Sequence, residues 1–364
     1  MTLYGLRSSE EPVAWSPNGD RIAFVGVADG RVDLYVADTE GNVERLSDDA
    51  NSDLNPRWAP DGKALVWESV DDSYDVHRVR VWRDGGAVTL DLGAIAEEMN
   101  WPENANIQFP GGIDWADDRR IFLYPKAAEG AAGLWLLESD GSGAQQLVSS
   151  AVTEVRFSRE ARAWALAVAD RPGELIAVDL EGRQTVVASG EAHFPMWSPD
   201  GGAICWAEGA STSTDGWRLH VVDADGKNDR VLTDWLPILQ EQPPVPGPNA
   251  KRWWLDDAGK IAFTRAGRDY GAAERAGGFG SVTAGNDIEN VWIVATDGKS
   301  APVQATDLTQ VFYLSRLAES PDGKALALVG FSYQDRSQQL WTLPSSGGKP
   351  AKIDGDTRWF AWLP

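Results

Sequence analysis

The sequence predicts an all-β fold, a single β-propeller of seven four-stranded blades, with eight blades and an incomplete last one as the alternative. Two observations predict it. A turn signature, Trp-Ser-Pro-Asn/Asp-Gly, recurs along all 364 residues, at a base period of about 40 that is the spacing of repeat arrays and propellers. Short β-rich runs then follow the copies in the same order, framed by turn residues and too short for helices.

The signature is complete at Trp15-Ser16-Pro17-Asn18-Gly19 and Trp197-Ser198-Pro199-Asp200-Gly201. Near variants are Trp58-Ala59-Pro60-Asp61-Gly62 and Glu319-Ser320-Pro321-Asp322-Gly323, and eroded ones begin at Trp115, Phe157 and Trp254. Proline presets φ at the second position of a type I turn, and glycine accepts the left-handed conformation that lets a hairpin close. Each copy is therefore a hairpin tip. Second strands follow at Arg21–Val25, Ala64–Trp67, Arg120–Tyr124, Ala203–Trp206, Lys260–Phe263 and Ala325–Val329. Third strands follow at Asp33–Ala37, Gly133–Leu137, Leu219–Val222, Asn290–Val294 and Gln339–Leu343. Glycine turns such as Asp140-Gly141 and Asp225-Gly226 then lead into weaker fourth strands, Val43–Leu46 and Arg230–Thr233 among them. Four antiparallel strands per repeat make a blade.

The blades begin near residues 13, 56, 113, 154, 195, 252 and 318, and the chain reads as one domain over 1–364. Insertions fall at about 91–112, 234–250 and 265–289. The first half of 91–112 reads as a short helix, and the glycine-rich third insertion reads as disordered. The terminal Arg358-Trp359-Phe360-Ala361-Trp362 repeats the opening Val13-Ala14-Trp15. It is either a strand that closes the ring and leaves no sheet edge exposed, or the first strand of an eighth blade.

The stretches Asn55-Pro56-Arg57-Trp58-Ala59-Pro60-Asp61-Gly62-Lys63 and His193-Phe194-Pro195-Met196-Trp197-Ser198-Pro199-Asp200-Gly201 resemble the WD40-like (PD40) repeat of TolB-type β-propellers. The resemblance covers essentially the whole chain. It implies a propeller and leaves function open, because the superfamily includes a protein-binding module, the propellers attached to prolyl-oligopeptidase-like serine hydrolases and those of tricorn-type proteases.

Composition suits a well-packed domain, with 43% hydrophobic and 10% aromatic residues. Most tryptophans occupy repeat-equivalent strand positions, so Trp15, Trp58, Trp115, Trp135, Trp197, Trp292 and Trp341 are expected in the core. The formal net charge of −22 disfavours nucleic acid and anionic membranes and points to neutral or basic partners. No apolar stretch is long enough to cross a membrane as a helix. Met1–Arg7 lacks a basic region followed by an apolar core. As it stands the chain reads as cytoplasmic, and as periplasmic or extracellular if a leader has been removed. The single cysteine, Cys205, lies in an apolar strand, where it acts as a small hydrophobe.

Catalytic motifs are scarce. Three histidines, His77, His193 and His220, are too few for a multi-histidine metal site. The nucleophile elbow Gly-x-Ser-x-Gly is absent, and Gly278-Phe279-Gly280-Ser281-Val282 has the wrong register for it. The run Asp223–Asp229 superficially resembles a calcium loop, but Asp234 stands where a bidentate Glu would be needed. No metal and no cofactor are expected.

Subtracting the scaffold leaves Glu11, Asp53, Glu154 and Glu191, polar residues just ahead of innermost strands, with His193 among them. The insertions add Trp101 and Phe109, which have no strand position to fill, and Trp235 in the proline-rich, apolar second insertion. Long loops on rigid scaffolds are where binding usually resides. The favoured reading is a non-enzymatic protein–protein interaction scaffold that binds a protein or peptide partner through its loop face. The alternative is a small-ligand, peptide or sugar binder, or an enzyme, using a carboxylate-lined central channel with His193.

Overall fold

The structure is a computed structural model that describes residues 2–3, 13–28, 31–70, 77–83, 86–90, 113–124, 133–209, 218–234, 254–255, 259–267, 288–306, 312–320, 322–332, 336–346 and 349–355. Its elements are strands in seven successive antiparallel meanders, one per repeat. The first contains β1 (Thr2–Leu3), β2 (Val13–Trp15), β3 (Arg21–Ala28), β4 (Arg31–Asp38) and β5 (Val43–Arg45). Both β1 and β2 pair with β3, through Thr2↔Val27 and Val13↔Phe24.

Three four-stranded sheets follow: β6 (Ser52–Trp58), β7 (Ala64–Val70), β8 (His77–Arg83) and β9 (Gly86–Leu90); β10 (Ile113–Trp115), β11 (Arg120–Leu123), β12 (Leu134–Glu138) and β13 (Ala144–Val148); and β14 (Val152–Ser158), β15 (Ala163–Val168), β16 (Leu175–Asp179) and β17 (Gln184–Ala188). The fifth repeat is β18 (Ala192–Trp197), β19 (Ala203–Glu208), β20 (Arg218–Asp223) and β21 (Arg230–Val231). In the sixth, Trp254 makes a one-residue bridge to Ile261 of β22 (Lys260–Gly267), which is followed by β23 (Ile288–Ala295) and β24 (Val303–Gln304). The seventh is β25 (Phe312–Glu319), β26 (Ala325–Ser332), β27 (Ser337–Pro344) and β28 (Ala351–Gly355). A single parallel pair, Ile288↔Phe312, joins the last two into one sheet.

The chain divides into two compact units, Met1–Pro172 with Val178–Gln184, and Gly173–Ala177 with Thr185–Pro364. In the first, one core cluster gathers Val25, Leu34, Val36, Trp58, Leu65, Trp67 and Trp82, and another gathers Val66, Val81, Trp115, Ile121, Leu123, Trp135 and Leu137. In the second unit, Cys205, Leu219, Val221, Trp254, Phe263 and Val294 form one cluster, and Leu255, Val291, Leu317, Leu326 and Leu328 form another. Facing sheets thus bury the alternate residues of their strands against each other. Among the described residues no helix is long and apolar enough to cross a membrane.

The signature turns form as the sequence predicts. Gly19, Gly62, Gly201 and Gly323 each donate N–H to the carbonyl three residues back, at 2.9 Å in every case. Their φ values lie between 67° and 73°, where a side chain is strained. Ser16, Ser198 and Ser320 then accept the N–H of the first residue of the next strand, each at 2.9 Å.

The signature tryptophan is an inter-sheet staple. Trp58 Nε1 donates to the Ala14 carbonyl at 3.0 Å, Trp115 Nε1 to Arg57 at 2.9 Å, and Trp254 Nε1 to Met196 at 3.0 Å. In each case the acceptor immediately precedes the signature position of an earlier repeat in the same unit. Trp58, Trp115, Trp135 and Trp197 are buried, and Trp292 and Trp341 are half-buried against the second unit's clusters. Trp15 departs from the expectation of a core position, being 55% exposed.

The terminal run 358–364 and most of the three insertions lie outside the described residues. The third insertion begins later than the sequence suggested, because Arg265, Ala266 and Gly267 continue β22 and pair with Asn290, Glu289 and Ile288.

Candidate functional site

Each meander has two ends. The signature turn and the Asp-Gly turn between third and fourth strands share one, here the turn end. At the other, the leading end, the first strand begins and the second strand hands over to the third. The insertions 91–112, 234–250 and 265–289 all join strands at leading ends.

The first strands are broken near their starts by β-bulges, between Leu54 and Arg57 in β6, Val152 and Glu154 in β14, and His193 and Met196 in β18. A bulge adds a residue, bends the strand and re-aims its side chains. In β6 the bulge holds Asn55 at φ 54° before Pro56, and in β18 it holds Phe194 at φ 55° before Pro195.

In the first unit Asp53 is fully buried and accepts the indole N–H of Trp67 at 2.9 Å. Burial raises its pKa above the ordinary carboxylate value, against hydrogen bonds from Ser47, Ser69 and Trp67 and the nearby charge of Arg80. Two residues along, Asn55 Nδ2 donates to Glu68 Oε2 at 3.3 Å, and Glu68 is itself buried. Glu154 is half-buried at the β14 bulge. Beside these, burial pushes the Tyr124 phenol up, with Arg156 opposing and Glu68 and Asp114 reinforcing the shift. Asp114 also pairs with Arg159 at 3.7 Å. Glu68, Asp114, Tyr124 and Arg156 therefore share one neighbourhood, which sequence spacing alone did not single out.

In the second unit Glu191 is exposed and sits at φ 63°, while His193 is half-buried with its ring 5.9 Å from that of Phe194. Backbone bonds fix this loop from both sides: Ala192 N donates to Gly173 O and Gly209 N to Glu191 O, each at 3.1 Å.

A polar cluster missed from sequence occupies the same meander. His220 Nδ1 lies 3.0 Å from Asp229 Oδ2 and its Nε2 lies 2.9 Å from Glu208 Oε2. Its ring stacks on Trp206 at 4.1 Å, and the Trp206 indole donates to Asp229 Oδ1 at 3.2 Å. Arg218 Nε also donates to Glu208, and this bond, ahead of the one from His220, holds the Glu208 carboxyl below its usual range. The signal was available in the repeat register. His220 faces Trp206 across β19 and β20, where other meanders pair Phe24 with Tyr35, Leu123 with Trp135 and Leu328 with Trp341.

Of the sequence-derived candidates, Asp53, Glu154, Glu191 and His193 are thus located, and Glu11, Trp101, Phe109 and Trp235 lie outside the described residues. The calcium-like run has protein partners for its carboxylates. Asp223 takes Asn228 and Arg230, Asp225 takes Lys227, and Asp229 takes His220 and Trp206. Among the described residues no group of three or more His, Cys, Asp or Glu is disposed to hold a metal ion. Cys205 is buried, and desolvation pushes its thiol up to about 12.

No protein-family model matches the chain, and no curated protein matches its sequence. Solved structures do match. Dipeptidyl peptidase 4 of Porphyromonas gingivalis is 13% identical at a TM-score of 0.59, over 96% of this chain and 53% of its own. A prolyl endopeptidase structure is 14% identical at a TM-score of 0.53, over 91% of this chain and 46% of its own. TolB from Acinetobacter baumannii aligns at 15% identity over 62% of this chain and 54% of its own, with a TM-score of 0.38. The chain spans about half the length of each of these three proteins. With seven meanders of the expected strand order, the likenesses to the dipeptidyl peptidase and the prolyl endopeptidase establish the fold as a seven-bladed β-propeller.

Proposed function

We propose that this propeller is a non-enzymatic interaction module that binds a neutral-to-basic peptide or protein segment at the leading ends of its blades. One observation carries the reading, the placement of charge along the strand connections of the first unit. Between Val70 of β7 and His77 of β8 the chain carries Asp71, Asp72 and Asp75, and between Leu90 of β9 and Ile113 of β10 it carries Asp91, Glu97, Glu98 and Glu103. Neither connection contains a Lys or Arg. Both join strands at leading ends.

Asp38 is held below its ordinary pKa by its bonds from Asn42, and Asp140 by its bonds from Ser142, so both serve their own turns. A one-signed field at one end of a rigid scaffold steers and retains a partner of opposite charge. Trp101 and Phe109, in the same acidic connection, supply the aromatic anchors that such interfaces favour.

Fluorescence anisotropy of a labelled nona-arginine peptide, with nona-glutamate as control, tests this. The arginine peptide is expected to bind, to weaken as salt rises, and to lose about tenfold in affinity when Asp71, Asp72 and Asp75 are replaced by Asn. Equal binding of both peptides, or binding of neither, overturns the reading.

A further inference from the structure

We propose that Glu208, His220 and Asp229 form a proton-dependent clasp on the outer edge of the fifth blade. With both ring nitrogens of His220 protonated the clasp holds β21 in place, and release of one ring proton to solvent loosens it.

His220 lies between two carboxylates, its Nδ1 3.0 Å from Asp229 Oδ2 and its Nε2 2.9 Å from Glu208 Oε2. A neutral imidazole has one N–H and one lone pair, while an ionised carboxylate can only accept. Only the imidazolium therefore donates to both sides. A neutral ring would set its lone pair against a carboxylate oxygen at hydrogen-bond distance, around a side chain that is 6% exposed and little screened by water. Glu208 is ionised there, because the bond from Arg218 first, and then the one from His220, hold its carboxyl below the usual range against desolvation.

The charged groups set against the ring come from three elements. Glu208 ends β19, Asp229 immediately precedes β21, and Arg218 opens β20, where its charge acts on both carboxylates. Two carboxylates are thus matched by two cations, and only one cation remains once the ring proton leaves. Residues 185–188 of β17 pack against the same turn, so closely that a Cβ on Gly226 would stand 2.7 Å from Val186 O, and they carry no charge. Trp206 stacks on the ring at 4.1 Å and donates to Asp229 Oδ1 at 3.2 Å, which keeps the carboxylate facing the imidazole.

The strand so fastened has little else to hold it. β21 is two residues long, whereas β9, β13, β17 and β28 have five each. Its pairs with β20 are His220↔Val231 and Val221↔Arg230, followed by the bond from Leu232 N to Leu219 O at 2.7 Å. Side-chain bonds between β19, β20 and Asp229 supply what this short ladder lacks. The folded state makes the pair of bonds only with the second ring proton bound, so the stability that depends on it is present in acid and lost as pH rises.

Amide hydrogen exchange of the full chain, corrected for the intrinsic pH dependence of exchange, tests this at Leu232. The control is the Ala305 amide, which donates to Val291 O at 2.8 Å beside β24, a strand equally short and without histidine. Protection of Leu232 should fall about tenfold between about pH 5 and pH 8 while that of Ala305 holds. His220→Gln should leave Leu232 at low protection that does not vary with pH. A Leu232 response no larger than that of Ala305, or one equally large in His220→Gln, overturns the proposal. Ring nitrogen–proton spectra of the parent give a test that needs no variant: two N–H signals from His220 are expected at the acid end, and a single one overturns it.

Discussion

Trp115 offers a direct measure of what the signature tryptophan contributes. It is fully buried, its indole N–H reaches the Arg57 carbonyl of the neighbouring sheet at 2.9 Å, and Arg83 lies over its ring at 5.6 Å. Trp115→Phe keeps an aromatic body in the cluster but removes the donor and part of the ring. A buried acceptor deprived of its partner costs about 1–3 kcal/mol, and the lost ring volume adds roughly 1 kcal/mol where the cluster does not collapse. The substitution should therefore destabilise by about 2–4 kcal/mol. Trp15→Phe changes the same repeat position at a site that is 55% exposed, and should stay within about 0.5 kcal/mol. Urea unfolding followed by far-UV circular dichroism, with equal slopes required of both variants, gives the comparison. A Trp115 cost no larger than the Trp15 cost would refute the assignment of this residue as a staple.

Gly133→Ala should destabilise by about 3 kcal/mol or prevent folding, because its Cβ would meet the Val148 carbonyl at 1.9 Å; Gly19→Ala, with open space around it, should cost about 1 kcal/mol, and denaturant midpoints distinguish the two. Asp53→Asn keeps an acceptor for Trp67 and removes a carboxylate whose folded pKa is raised by burial. A raised acid binds its proton more tightly when folded, so ionisation opposes folding above that pKa. The variant should be more stable than the parent at pH 7, and the gain should vanish as pH falls below the unfolded value of about 4. Asp322 has the opposite sign, lowered to about 2 by Ser320 Oγ first and then by Lys324. Its contribution is present above the unfolded pKa and lost as pH falls through about 2, so Asp322→Asn should reduce the parent's loss of stability over that acid range in melts at stepped pH.

The repeat architecture was legible because it is written in local physics. Ser-Pro-Asp-Gly has one economical turn geometry, and the glycine positions 19, 62, 201 and 323 adopt it. Strand lengths were less legible. Arg21–Val25 was read where β3 continues to Ala28, and Lys260–Phe263 where β22 continues to Gly267, since pairing with a neighbour extends a strand beyond its own propensity. Trp15 occupies the signature position and is nonetheless 55% exposed, so residue type at a repeat position does not by itself fix burial. The Glu208–His220–Asp229 cluster was hidden differently. Its members are separated along the chain, and only the pairing Trp206↔His220 reveals that a histidine fills a position held elsewhere by Tyr35, Arg80, Trp135 or Trp341.

Departures from the repeat therefore carry more functional information than its fulfilment. Positions that every blade fills alike are determined by turn geometry and sheet packing, and they would be the same whatever the propeller bound. Asp53 stands five residues before its signature tryptophan, where the fourth and fifth blades have Val152 and Ala192. Phe194 stands where the second blade has Asn55 on the same left-handed path. His220 faces Trp206 where the second blade sets Arg80 against Trp67. Asp53 and Phe194 each cost the fold something, through desolvation of a carboxylate and through backbone strain. Phe194 lies at the leading end of the fifth blade.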